Sequence, residues 1–407
     1  MTIAAQGADP GLRGKGSALE VLRAFLKLGV SSFGGPIAHI GYFRQEFVVR
    51  RRWLDEQAFA ELVGLCQFLP GPASSQVGFS IGLLRGGFRG ALAAWTGFTT
   101  PSAIAMLLVA GGVRTLTGPV GNGLIHGLKL VAVAIVAQAV WAMARSLCPD
   151  RARASIAIAA ALVVLSSASG IAQIVAILVG AIAGVWTCRT APLPAEGCGA
   201  ICVSRAIGFA ALALFIVLLF GLPFVHGLGA SQAVTHFEAF YRSGALVFGG
   251  GHVVLPLLHD AFVTPGWVSN DAFLAGYGAA QAIPGPLFTF AAYLGAIAGP
   301  SPLGVTGAAL GLAGIFLPGL LILVGMLPFW EAFRKHTWAP AAVRGVNAAV
   351  VGILAAALYQ PLWTSTVGTP RDFAVALVGF VLLTAWRAPP LLVVVVGALG
   401  GIALAVW

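Results

Sequence analysis

Phe33-Gly34-Gly35-Pro36, Trp53 and Gln67-Phe68-Leu69-Pro70-Gly71-Pro72 recur later as Phe248-Gly249-Gly250-Gly251, Trp267 and Gln281-Ala282-Ile283-Pro284-Gly285-Pro286. The register between the copies is nearly constant: Phe25 matches Phe240, Gly29 matches Gly244, Phe59 matches Phe273 and Gly64 matches Gly278. Further on, Pro101 matches Pro318, Gly127 matches Gly345 and Trp141 matches Tyr359. The chain is a duplicated unit whose copies each carry Gly/Pro breaks inside apolar segments. In membrane proteins, interruptions at corresponding places in two halves point to a transporter's binding site.

Composition puts this unit in lipid. Of 407 residues, 59% are hydrophobic and 9% charged, whereas a soluble domain carries about 25% charged residues. Many apolar runs approach the ~20 residues that cross a bilayer as helix, and alternating strands of about ten residues, the mark of a membrane barrel, are missing. The expected class is an all-α polytopic membrane protein. A net charge of +10 does not indicate nucleic acid, because the Lys and Arg residues are scattered over short loops, where they set membrane orientation. Residues 1–18 are polar and small and contain no signal-peptide core.

The expected organisation is a cytoplasmic tail at 1–18, a first repeat at 19–187, a cytoplasmic linker at 188–205, a connecting transmembrane helix at 206–225 and a second repeat at 226–407. Apolar segments fall near 20–42, 59–84, 90–113, 123–144, 155–168 and 171–187, then 206–225, 240–257, 272–297, 305–329, 342–360, 373–386 and 391–407. Segment 206–225 has no counterpart before residue 20, and one odd helix between two repeats turns the second upside down. Loop charge argues the same way. Arg44, Arg50, Arg51 and Arg52 follow the first Gly-Gly motif, while the partner loop at 259–266 holds no Lys or Arg. Arg85 and Arg89 follow the first Pro-Gly-Pro segment, and the partner loop at 299–304 again has none. Positive loops stay cytoplasmic, so equivalent loops sit on opposite faces and the expectation is an inverted-topology repeat. The basic loops at 44–52 and 85–89 flank a single interrupted segment, so that segment is expected to be re-entrant; the competing geometry is a kinked full crossing.

The breaks are the expected site. Half-helix N-termini present unpaired N–H groups and partial positive charge, which suits an anion. The candidate lining is Gly34, Gly35, Pro36, Pro70, Gly71 and Pro72, with Gly249, Gly250, Pro284, Gly285 and Pro286 from the second copy. Polar candidates beside them are His39, Gln67 and Ser74, with Ser75 and Gln76 following, and His252 and Gln281, with Thr289 and Tyr293 following. Lys129 and Arg344 are the intramembrane cations, a class that is functional by default, although packing and snorkelling are the alternatives. Glu61, His39 and His252 are candidates to carry a coupling proton. Glu46, Asp55, Glu56, Asp260 and Asp271 are assigned to loops or surface helices. Cys188, Cys198 and Cys202 share one loop, but Cys-x3-Cys without a nearby His is a weak metal signal, and neither metal nor cofactor is expected. No ATP-binding loop and no catalytic triad or metallohydrolase motif occurs, so transport would draw on an ion gradient.

These motif pairs, Phe33 to Pro36 and Gln67 to Pro72 with their copies, resemble the chromate ion transporter family in its long two-domain form, over residues 19–407. The resemblance implies export of chromate from the bacterial cytoplasm across the inner membrane, proton coupling, chromate resistance, and sulfate as a structural mimic, with no enzymatic activity. It also implies that the Gly and Pro residues of both breaks line the path. Gly251, where the first copy has Pro36, departs from the pattern and suggests unequal halves. The alternatives are a sulfate or other oxyanion importer, a passive anion channel, and a membrane-bound chromate reductase. A homodimer and a self-sufficient single chain both remain open.

Overall fold

A computed structural model describes residues 16–115, 118–167, 170–188, 203–227, 229, 231–298, 304–334, 336 and 338–406, and it is helical throughout with no strand among them. The first repeat contributes α1 (Ala18–Ser31), α2 (Gly35–Phe43), α3 (Glu56–Phe68), α4 (Ala73–Thr115), α5 (Gly118–Leu147), α6 (Arg151–Ser166) and α7 (Gly170–Thr187). A connecting helix α8 (Arg205–Gly227) follows. The second repeat runs through α9 (Gln232–Ala245), α10 (Val254–Phe262), α11 (Asn270–Ala280), α12 (Phe290–Ile297), α13 (Gly304–Met326), the short α14 (Trp330–Arg334), α15 (Trp338–Ala357), the single turn α16 (Thr364–Thr366), α17 (Pro370–Thr384) and α18 (Pro390–Val406). Among the described residues, five helical stretches are long and apolar enough to cross a membrane: Ala73–Val113, Gly118–Leu147, Arg205–Val225, Gly304–Phe333 and Trp338–Thr366.

Local signals repeat with the sequence. Asp55 caps α3 by accepting from the Ala58 amide, and Ser269 caps α11 by accepting from the Ala272 amide. Asp150 caps α6, and Thr369 forms a capping box with Asp372 at the start of α17. Each cap satisfies an end amide that has no partner within its own helix. Within α4 the chain turns at Gly86 and Gly87, whose backbones leave the helical region. Gly82 consequently lies against Gly90, and Gly295 lies against Gly307 at the corresponding turn between α12 and α13.

The aromatic packing is duplicated as well. Phe25, Phe47 and Trp53 stack in series, with centroids 4.7 and 4.8 Å apart, and Phe240, Phe262 and Trp267 form the equivalent series. Around the first series, chain ends that are distant in sequence meet. The Gly16 amide donates to the Arg85 carbonyl, Arg85 bonds Glu20, and the guanidinium groups of Arg51 and Arg85 both lie over the Trp53 ring at 5.3 Å. Thus the start of α1, the end of the α2 arm, the start of α3 and the turn inside α4 share one end of the molecule.

The repeats are interlocked rather than side by side. The closing helices of each pack on the long helix of the other: α18 and α17 on α5, and α7 and α6 on α15. Gly123 and Gly127 of α5 fit against Gly401 and Gly397, while Gly345 of α15 fits against Gly180 and Gly184. Small residues let helix backbones approach closely, the main source of helix–helix affinity in lipid.

Two expectations are corrected here. The second repeat's first helix starts at Gln232, eight residues before the expected segment at 240. Its polar residues Thr235, His236 and Glu238 are buried, because α8, α10 and α13 cover them, and hydropathy alone cannot register that cover. Glu46 is buried rather than on a surface, held by Arg51 at 2.6 Å and Arg50 at 3.1 Å. Burial pushes its carboxyl up, but the two guanidinium groups outweigh this and hold it below the usual range. Cys188 is a buried free thiol, whereas Cys198 and Cys202 lie outside the described residues.

Candidate functional site

The four breaks meet across the repeats. The Gly71 amide of the first Pro-Gly-Pro donates to the Val247 carbonyl (2.8 Å), directly before the second Gly-Gly motif. The Gly285 amide of the second Pro-Gly-Pro donates to the Ser32 carbonyl (2.9 Å), directly before the first. Ser32 and Val247 are in register, as are Gly71 and Gly285, so the two bonds are one contact made twice. Gly34, Gly35, Gly71, Gly249, Gly250 and Gly285 all have positive φ, which an L side chain adopts only with strain. Pro36 sits beside its own counterpart Gly251, with its ring 3.5 Å from where a Cβ would be. That is ordinary van der Waals contact, so nothing in the structure explains the departure from the motif at this position.

Repeat-matched prolines complete the junction. Gly71 and Pro72 pack on Gly319, next to Pro318, and Gly285 packs on Ser102, next to Pro101. The buried Gln76 amide donates to the Pro70 and Gly319 carbonyls, both at 2.9 Å, and so ties the halves together. Pro286 accepts from Thr289 Oγ1 at 2.8 Å; Pro284 lies in the irregular turn that follows α11.

The polarity of this junction is one-sided. Ser32, His39, Ser75, Gln76 and Thr99 are buried in the first repeat, each with a side-chain atom that has no partner. Their counterparts are Val247, Val254, Thr289, Phe290 and Phe316, of which only Thr289 is polar. His39 Nδ1 lies 3.4 Å from Ser74 Oγ, and its ring meets Phe98 edge-on. In the second repeat His252 Nδ1 lies 2.8 Å from the Tyr277 hydroxyl. Ser32, Thr99 and Ser102 were not singled out from the sequence, although the match of Pro101 to Pro318 flags the segment that carries the last two.

The predicted cations stand elsewhere. Lys129 Nζ bonds Asp271 Oδ1 at 2.6 Å, at the opposite end of α11 from Gln281 and so about 15 Å of helix away from the break. Arg344 donates to the Cys188 carbonyl (3.1 Å), and its repeat counterpart His126 lies 2.7 Å from Asp372. Glu61 is half-buried midway along α3.

The halves differ most along α3 and α11. Leu274 and Gly278 of α11 are buried, with Gly278 against the Leu128 backbone of α5. The in-register Ala60 and Gly64 of α3 are exposed, together with Gln57 and Gln67, and no heavy atom lies within 4 Å of where a Gly64 side chain would start. Likewise α10 packs on α15 and α7, while no comparable packing joins α3 to α15 or α2 to α5. One face of α3 is therefore open, whereas the counterpart face of α11 is packed on α5 and joined to it by Lys129–Asp271. Among the described residues no cluster of His, Cys, Asp and Glu is arranged to hold a metal.

The family model described as Chromate transporter matches this chain twice, over residues 19–185 and 234–402. The chain is 26% identical to a chromate transport protein of Pseudomonas aeruginosa, over 95% of this chain and 91% of that protein. It is 25% identical to a chromate transport protein of Cupriavidus metallidurans, over 93% and 91%. An uncharacterised transporter of Methanocaldococcus jannaschii is 26% identical over 84% of both chains. No solved structure matches.

Proposed function

The chain belongs to the chromate transporter family, and from that premise we propose that it is a secondary carrier exporting chromate across the bacterial inner membrane, driven by the proton motive force and conferring chromate resistance. The carrying observation is the reciprocal pair Gly71–Val247 and Gly285–Ser32, which brings four helix breaks to one place. Chromate is a tetrahedral dianion, close to sulfate in shape. The first-turn amides of α2 and α4 can replace part of its hydration shell, as helix N-termini do for other oxyanions. The hydroxyls of Ser32, Ser75 and Thr99 add donors from the same side. His39, buried with one ring nitrogen unpartnered, is the proton-coupling group we favour over His252 and Glu61.

The transport cycle is alternating access between inverted repeats, with α1–α2 and α3 up to the α4 turn re-entrant. The meeting of Gly16, Glu20, Trp53 and Arg85 at one end supports re-entry, because segments that begin and end together do not cross. Loop charge assigns that end, and the N-terminus, to the cytoplasm. The open face of α3 is then on the inward side, and the packed face of α11 is on the outward side. One chain carries both repeats, so a homodimer is not needed to complete the site.

Reconstituted protein in liposomes tests this. Uphill chromate flux that follows an imposed pH gradient, and is competed by sulfate, is expected. Sulfate flux without chromate flux would replace the substrate, downhill flux alone would make the protein a channel, and no flux under any gradient would remove the carrier reading.

A further inference from the structure

Between the last helix of the first repeat and the opening helices of the second lies a cavity of about 170 Å³ that the helix breaks do not form. It lies where α7, α9 and α10 meet, lined by Ile171, Gln173, Ile174, Leu257, Arg242 and Asp260 among others. Arg242 is paired with Glu238 at 3.2 Å. Gln173 is buried and donates weakly to the Pro256 carbonyl at 3.4 Å, while its Oε1 has no partner. Arg242 stands six residues before the second Phe-Gly-Gly break, and its counterpart Lys27 stands six residues before the first. Lys27 and Arg23 are exposed on α1. The cavity is thus the second-repeat equivalent of the ground in front of Lys27.

The charges at these matched places differ. Where the first repeat has Arg23, Lys27 and Gln45, the second has Glu238, Arg242 and Asp260. An anion meets two positive charges at the first place, and one positive charge between two carboxylates at the second. Charge pairs at this range act strongly in a partly desolvated setting. The first arrangement captures an oxyanion; the second lets one pass without holding it.

The geometry points to the Arg242 cavity as an exit station for the divalent tetrahedral oxyanion, in which Arg242 guides the leaving anion and Asp260, with Glu238, prevents its retention. This rests on the export reading above and adds to it a site and a source of direction. Gln173 supplies an amide that can turn toward the anion.

The test uses the full-length protein, with chromate binding by equilibrium dialysis and flux in liposomes, for wild type, Asp260→Asn, Arg242→Gln and Arg242→Lys. Asp260→Asn is expected to tighten chromate binding by about tenfold and to slow turnover in proportion, since removing one nearby negative charge favours the bound anion. Arg242→Gln should slow turnover without tightening binding, and Arg242→Lys should restore most of it. Melting temperatures near wild type for the Asn and Lys variants exclude a folding defect. Wild-type binding and turnover in Asp260→Asn would overturn the exit station, as would slower turnover with unchanged binding, the sign of a structural role. If wild type fails to move chromate, the export reading falls, and the binding comparison still decides the cavity.

Discussion

Gly71 and Gly35 separate two demands that glycine meets in this protein. Both have positive φ, +118° and +78°. A Cβ on Gly71 would also lie 2.9 Å from the Gly319 Cα of the other repeat, whereas one on Gly35 meets nothing within 4 Å. Gly35→Ala therefore carries backbone strain alone, about 1–2 kcal/mol. Gly71→Ala adds a backbone clash at the junction and threatens the amide bond to Val247. We expect Gly71→Ala to lower the melting temperature in detergent clearly more than Gly35→Ala, and to abolish chromate flux where Gly35→Ala reduces it. Equal melting temperatures would mean that the junction is not the rigid centre argued above.

Among the elements, α3 and α11 hold matching places in the two repeats but have different surroundings, and one ion pair marks the difference. Lys129 and Asp271 join α5 to α11; at the matched places on α15 and α3 stand Asn347 and Gln57, which carry no charge. In the carrier reading proposed above, a closed position of α11 is held by this ion pair and a closed position of α3 would lack one, so the expected bias is toward the state with the α3 face open. Asp271→Ala should slow flux and expose Leu274→Cys, at a buried position of α11, to thiol reagents. The exchange Lys129→Asp with Asp271→Lys should recover part of the activity. In a cysteine-free background, Gln57→Cys and Asn347→Cys should cross-link only during turnover or when Asp271 is also replaced. Cross-linking at rest in the otherwise wild-type protein would refute the bias.

At the scale of the whole molecule, the helical hairpins exchanged between the repeats make the two halves one folding unit. An impermeant thiol reagent should label Thr264→Cys only from outside intact cells and Arg89→Cys only after the membrane is opened. Labelling of both from one side would replace the inverted arrangement with a parallel one.

The sequence by itself determined the helical membrane class, the duplication, and the positions of the breaks. Each depends on local facts: mean hydropathy, Gly and Pro chemistry, and a register readable by counting. It also singled out Gly71 and Gly285, which the structure brings to the junction of the repeats. Tertiary structure alone decided which break meets which, because the bond from Gly71 to Val247 joins residues 176 positions apart and no local pattern encodes it. It also decided that Lys129 is held by Asp271, that Ser32 and Thr99 join the junction, that α9 begins early under the cover of α8, and that matched helices α3 and α11 lie in unlike surroundings. Helices at matched places in the two repeats hold different positions because their packing partners, supplied by the other repeat, differ, and counting along the chain does not reveal those partners.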